Sequence, residues 1–168
     1  MSFIPQKTLF FIIPVGKEDN SIANALGIRK EEEACNTLLA RRIKKIDIGV
    51  AGRNYFIEKA EMEAENAILE IDGYIIEVQE KGVISIINLA ENANIIGNKS
   101  PKPNDGKLDI HIKTKSRDES FLSVKSLKIL SKGQILYLDD SVEIKTPIEL
   151  GVIPGGLEII VGKNRAFE

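Results

Sequence analysis

The chain has 168 residues, 43% of them hydrophobic and 29% charged, with a formal net charge of -2. That length suits one ordinary core rather than two, and the composition is globular rather than disordered. The balanced charge gives no electrostatic reason to expect nucleic acid or an anionic membrane as partner. Cys35 is the only cysteine and there is no Trp, which excludes a disulfide-stapled scaffold and argues against base-stacking platforms. No apolar run reaches the roughly 18–20 residues of a membrane span. Residues 1–7 lack a signal-peptide layout, so the expected location is the cytoplasm.

In chain order, Leu9-Phe10-Phe11-Ile12-Ile13 is an apolar run ending at Pro14-Val15-Gly16, the pattern of a buried strand and a turn. Residues 17–21 are rich in helix-capping types, so a short helix is predicted over 22–26 with Gly27 as its stop. A longer helix is predicted over 30–42. Glu31, Glu32 and Glu33 in its first turn and Arg41 and Arg42 in its last suit the helix dipole, and Ala34, Cys35, Leu38 and Leu39 form an apolar stripe.

From Lys45 onward the period becomes two. Tyr74, Ile76 and Val78 alternate with Ile75, Glu77 and Gln79, and Leu108, Ile110 and Ile112 with Asp109, His111 and Lys113. Val142, Ile144, Ile148 and Leu150 share a face opposite Glu143, Lys145 and Glu149, and Leu157, Ile159 and Val161 repeat the pattern. Asp72-Gly73 is a tight-turn signal, and further glycines, Gly97 among them, punctuate the rest. The predicted fold is mainly β: an antiparallel sandwich around one continuous core, preceded by a short α/β segment.

Few residues point to chemistry by themselves. His111 falls on the polar side of a strand, where a solvent-facing structural role is expected, and Cys35 is expected in the core. No His/Cys cluster has zinc spacing. Pro14-Val15-Gly16-Lys17-Glu18-Asp19-Asn20-Ser21 leads from a strand through a glycine to a helix start, where free backbone N–H groups can meet an anion, although many ordinary strand–helix turns read the same way. Asn104-Asp105-Gly106-Lys107-Leu108-Asp109 gathers carboxylate and carbonyl oxygens as a hard cation requires, and is equally an ordinary turn into a strand.

These two segments, in this order, resemble the diacylglycerol-kinase catalytic family, especially its soluble bacterial lipid kinases. Those proteins carry a strand, then Pro-Leu-Gly-Thr-x-Asn-Asp or -Asn-Ser, then Ala-x-Ala-Leu-Gly-Ile; this chain reads Asn20-Ser21-Ile22-Ala23-Asn24-Ala25-Leu26-Gly27-Ile28. Glu33-Ala34, Ile46-Asp47, the hairpin from Gly52 to Phe56, and Asn104 to Asp109 follow in family order. So do Asp139-Asp140-Ser141, Thr146-Pro147-Ile148-Glu149, Pro154-Gly155-Gly156-Leu157 and Ile159-Ile160-Val161. The resemblance runs over residues 8–162.

The resemblance implies that residues 1–44 are the remnant of a nucleotide-binding domain and 45–168 a β-sandwich on the lipid side of the cleft. By family position Asp139 is the general base that activates the lipid hydroxyl. Asn20 and Ser21 belong to the nucleotide-side loop, and Asp105 with main-chain oxygens of Lys102 and Lys107 forms a magnesium site. The family's ATP-binding Gly-Gly-Asp-Gly-Thr segment is not in this sequence, and nothing ahead of Leu9 supplies it. The Asp-Gly-Glu motif has lost its glutamate, and Glu18 and Asp19 oppose a triphosphate. The expectation is the lipid-side part of an ATP-dependent lipid kinase, inactive alone, with a lipid substrate, a separate nucleotide-binding half and magnesium. The alternatives are a non-catalytic binding or scaffold protein on the same fold, and a self-sufficient small kinase. The apolar strand at Leu9 is expected either to join the chain's own sandwich or to pair with a second copy, the homodimer being favoured.

Overall fold

A computed structural model describes residues 8–16, 20–91, 101–116 and 119–168. Lys17, Glu18, Asp19 and Gly97 therefore lie outside the described residues.

Two sheets form the body. The first has the order β3 (Asn54–Phe56), β2 (Ile43–Ala51), β13 (Ile148–Ile160), β10 (Ser126–Ile129), β5 (Ala67–Ile71), β6 (Tyr74–Val78). The second runs β12 (Val142–Lys145), β11 (Ile135–Leu138), β4 (Lys59–Glu63), β7 (Gly82–Ile87), β8 (Leu108–Thr114), β9 (Glu119–Val124). Neighbours along both paths are antiparallel, as two-period strands joined by short turns require. The Asp72-Gly73 signal is met: both residues take positive φ, 50° and 82°, and Ile71 faces Tyr74 across a two-residue turn.

The alternating residues of the two sheets meet face to face. Leu69, Ile129 and Leu150 from the first sheet and Ile84, Ile86, Ile110 and Leu136 from the second are fully buried in one cluster. Burying each such side chain contributes about 1.5–3 kcal/mol. The expected single core is two. A second cluster joins Ala25, Leu26, Ile28 and Ala34 to Ile46, Leu157, Ile159 and Phe167. The long β13 takes part in both, with Leu150 in the first and Leu157 and Ile159 in the second.

Helix α1 (Ser21–Ala25) matches its reading closely. Asn20 caps it, its Oδ1 accepting the Ala23 N–H at 2.8 Å. Gly27 at φ 77° ends it: the Gly27 N–H meets the Asn24 carbonyl and the Ile28 N–H meets that of Ala23, the paired bonds of a left-handed C-terminus. Helix α2 (Glu31–Ala40) forms as expected, but its stripe does not. Ala34 and Thr37 are the buried residues, Cys35 is exposed, and Leu38 and Leu39 are 45% and 80% exposed. The helix packs along one narrow line through its small residues, and side chains a third of a turn away project past the body.

The segment 9–13 also departs from its reading. Only β1 (Leu9–Phe10) is a strand, and both its residues are exposed, while Phe11 and Ile12 pack on the second core. Of the two pairings left open, the strand adopts the one within the chain, running parallel to β13 with Leu9 beside Glu158 and Phe10 beside Ile159. The homodimer expected for a strand without a neighbour in sequence loses that ground, because β13 supplies the neighbour. His111 is not solvent-facing. Its side chain is 13% exposed and stacks on Phe121 at 4.5 Å, because Phe121 is its cross-strand neighbour. Burial lowers its pKa against the pull of Glu119.

Candidate functional site between the first helix and the sandwich

The turn joining β11 to β12 is Leu138-Asp139-Asp140-Ser141. Asp139 and Asp140 have φ of 45° and 54°, and the Ser141 N–H closes the turn on the Leu138 carbonyl. This hairpin geometry holds the Asp139 carboxylate over the link between β3 and β4. Its Oδ2 accepts the Ile57 N–H at 2.8 Å, and its Oδ1 accepts those of Glu58 and Lys59 at 2.9 and 3.0 Å. Three of about four lone-pair positions are thus engaged. Asp139 is a clamp on the link, with one lone-pair position left open.

The clamp fixes Glu58, which sequence reading did not single out. Glu58 Oε2 accepts the Ser21 hydroxyl at 2.6 Å, tying the start of α1 to the sandwich. Burial raises the Glu58 pKa, against the Ser21 hydrogen bond and Lys59, and the charges of Asp139 and Asp140 add to the rise. A carboxyl held toward its protonated form at the junction of three segments can exchange a proton with a bound group. The only sequence signal for it was its place directly after the Gly52 to Phe56 hairpin.

Lys59 extends the cluster. Its Nζ lies 3.3 Å from Glu61 Oε2 and 3.5 Å from Asp140 Oδ1. Burial works against its charge, but Glu61 and Asp140 outweigh it and raise its pKa. Glu61 Oε2 also accepts the Ser85 hydroxyl at 2.9 Å. The structure thus brings Ser21 and Asp139 into one cluster through Glu58. Asn20 sits beside it with its side-chain oxygen committed to the helix cap. The described groups around Ser21 are mostly acidic: Glu58 bonds it directly, Asp139 and Asp140 stand behind, and Glu91 accepts from Asn24. Such a lining leaves the countercharge for the phosphates of ATP to a cation or to another segment.

Asp105 belongs to a different construction. Asp47 is 1% exposed, and its Oδ2 and Oδ1 accept the N–H groups of Gly106 and Gly155, both at 2.7 Å. It pins the 103–106 turn to a bulge of β13 in which residues 154–156 stand opposite Asp47 alone. Asp105 is exposed, and its Oδ1 accepts the Lys107 N–H at 3.0 Å. Partial desolvation of its carboxyl in the turn raises its pKa against that bond, and Asp109 and Asp47 add to the rise. A hard cation would relieve that crowding of negative charge, and the turn has oxygens of the type it takes. Among the described residues, however, no three His, Cys, Asp or Glu side chains are grouped to hold a metal. Lys107 contributes its N–H here, and Lys102 is exposed on the same turn.

No helix among the described residues is long and apolar enough to cross a membrane. No family model and no curated protein matches the sequence. Solved structures do match. A diacylglycerol kinase from Bacillus anthracis str. Sterne aligns over 91% of this chain and 66% of its own, with a TM-score of 0.76 and 18% identity. Two further structures from that organism, provisionally assigned as diacylglycerol kinases, align over 95% and 90% of this chain and 72% and 69% of theirs, with TM-scores of 0.77 and 0.75 at 16% identity. The chain spans about two thirds of the length of these structures. Over nearly all of its length, this chain is similar in fold to the bacterial diacylglycerol-kinase-like structures.

Proposed function

We propose that this chain is the lipid-side part of a lipid kinase that transfers phosphate from ATP to a lipid hydroxyl of the diacylglycerol type, and that it acts only with a nucleotide-binding half. The reading rests on one observation above all: Ser21, Glu58 and Asp139, from three separate segments, converge at the edge of a sandwich shared with diacylglycerol-kinase-like structures. Residues 1–44 are the remnant that meets the nucleotide half, and Asn20 and Ser21 are its contact with the nucleotide. The lipid hydroxyl approaches Asp139 and Glu58. Asp139 takes the proton as general base with its remaining lone pair, and Glu58, whose pKa burial raises, is the second carboxyl beside it. Asp105, with carbonyls of Lys102 and Lys107, holds a magnesium ion that stiffens the turn. ATP is the donor for the assembled enzyme; this chain alone has no micromolar affinity for magnesium-ATP.

The test is transfer of labelled phosphate to diacylglycerol in mixed micelles, by the chain alone and mixed with the nucleotide-binding part of a longer relative. Turnover is expected only in the mixture, and is lost in Glu58→Gln and Asp139→Asn. No transfer in the mixture, together with no retention of diacylglycerol by the chain, would overturn the reading. The engagement of Asp139 by three N–H groups favours a second reading, a non-catalytic binding or scaffold protein on the same fold. Under it, the mixture retains lipid but transfers nothing.

A further inference from the structure

Asn88 directly follows the last residue of β7 and is 1% exposed. Its side-chain Nδ2 donates to two main-chain carbonyls, that of Ile57 at 2.8 Å and that of Asp47 at 2.9 Å. Its own N–H donates to the Glu58 carbonyl at 2.8 Å, and the Leu89 N–H joins it there at 3.1 Å. The amide Oδ1, by contrast, is buried without a hydrogen-bond partner among the described residues. A buried acceptor left unmade is costly, and an apolar side chain of similar size would avoid that cost. Packing therefore does not account for an asparagine here, whereas its donors do.

The carbonyls that Asn88 holds belong to the link whose N–H groups Asp139 holds. Asp139 accepts from Ile57, Glu58 and Lys59, while Asn88 and Leu89 donate to Ile57 and Glu58. Every main-chain polar group of Ile57 and Glu58 is thus bonded, by two segments distant in the chain. The anchor behind Asn88 is also fixed: Asp47 donates its N–H to the Pro103 carbonyl at 2.6 Å and bonds Gly106 and Gly155 through its side chain. From this held main chain the Glu58 side chain reaches Ser21.

We propose that Asn88 is a positioning residue of this site: gripping the link from the side opposite Asp139, it aims the Glu58 carboxyl at Ser21 and at a hydroxyl group arriving beside Asp139. The identity of that hydroxyl rests on the phosphate-transfer reading; the hold on Glu58 rests on the hydrogen bonds alone. With Asn88 cut back, the Ile57 carbonyl loses its donor, the link tilts toward water and carries the Glu58 carboxyl with it. The desolvation that raises the Glu58 pKa then lessens. Such a misplacement is costly in rate, because transfer depends on the geometry of the reacting groups.

The experiment is a carbon-13 NMR titration of the Glu58 carboxyl, in the chain without ATP or lipid, for the parent, Asn88→Ala and Leu69→Ala. Asn88→Ala is expected to move the Glu58 midpoint down toward 4.5. Leu69→Ala removes a fully buried side chain of the sandwich cluster that makes no hydrogen bond, so it should lower the Tm and leave the midpoint at the parent value. In the parent, the Asn88 side-chain amide signals should follow the Glu58 midpoint, a readout that stands even where Asn88→Ala fails to fold. In the mixture with the nucleotide-binding part of a longer relative, Asn88→Ala should lower kcat roughly tenfold or more, with KM for diacylglycerol within about twofold. A midpoint that Asn88→Ala leaves unmoved, amide signals that ignore the Glu58 titration, or a loss carried by KM alone would overturn the proposal. No transfer by the parent mixture would strike the phosphate-transfer reading, while the titration still upholds or overturns the hold of Asn88 on Glu58.

Discussion

Glu58 holds a position of opposed demands. Burial and the neighbouring aspartates raise its folded pKa above the ordinary 4.5, so the folded state retains a proton that the unfolded chain has released. Stability attributable to this group is therefore full below about pH 4.5 and falls as pH rises through the folded value. Glu58→Gln, which keeps an acceptor for Ser21, should raise the Tm at about pH 8 and leave it unchanged near pH 4. Scanning calorimetry at the two values checks this; equal shifts at both would mean that charge is not the cause. Asp47 is a buried side chain that accepts two backbone N–H groups, those of Gly106 and Gly155. Asp47→Ala strips acceptors from two backbone N–H groups and should cost about 3 kcal/mol or more in urea unfolding. The neighbouring Asp105→Ala loses one exposed bond and should cost less than about 1 kcal/mol.

At the scale of elements, two left-handed glycines separate conformational strain from crowding. Gly73 has φ 82° and open space where a Cβ would stand, whereas Gly27 has φ 77° and the Arg165 backbone nitrogen 2.7 Å from that point. Gly73→Ala should therefore cost about 1 kcal/mol from the backbone alone. Gly27→Ala should cost about 2–4 kcal/mol, because the last turn of α1 must also move away from the 164–165 segment. Equal losses in denaturant titrations would show that the contact is not tight. Both glycines could be read as turn signals in the sequence. Only the packing distinguishes them, since Arg165 is far from Gly27 along the chain.

In the whole molecule the two core clusters are tied by β13, which presents Leu150 to one and Ile159 to the other. Ile84→Ala in the sandwich and Ile159→Ala under the helices should each lower a single common unfolding midpoint, at about 2–5 kcal/mol apiece. Fluorescence or circular dichroism that resolves two transitions would show that the α1 and α2 layer unfolds separately.

What this sequence determines by itself is local. Alternation of apolar and polar residues sets the faces of β8, Asp72-Gly73 sets its turn, and Asn20 and Gly27 bound α1, because side-chain period and backbone sterics act over a few residues. The ordered motifs also carried the likeness in fold. The tertiary structure decides everything that needs a distant partner. It turns Leu38 and Leu39 outward, lays β1 on β13, covers His111 with Phe121, and makes Asp139 a clamp that delivers Glu58 to Ser21. Asp47 and Gly155 stand 108 residues apart in sequence and 2.7 Å apart in the fold. No period or spacing encodes such a contact, because it exists only after β2 and β13, far apart in the chain, have paired in one sheet.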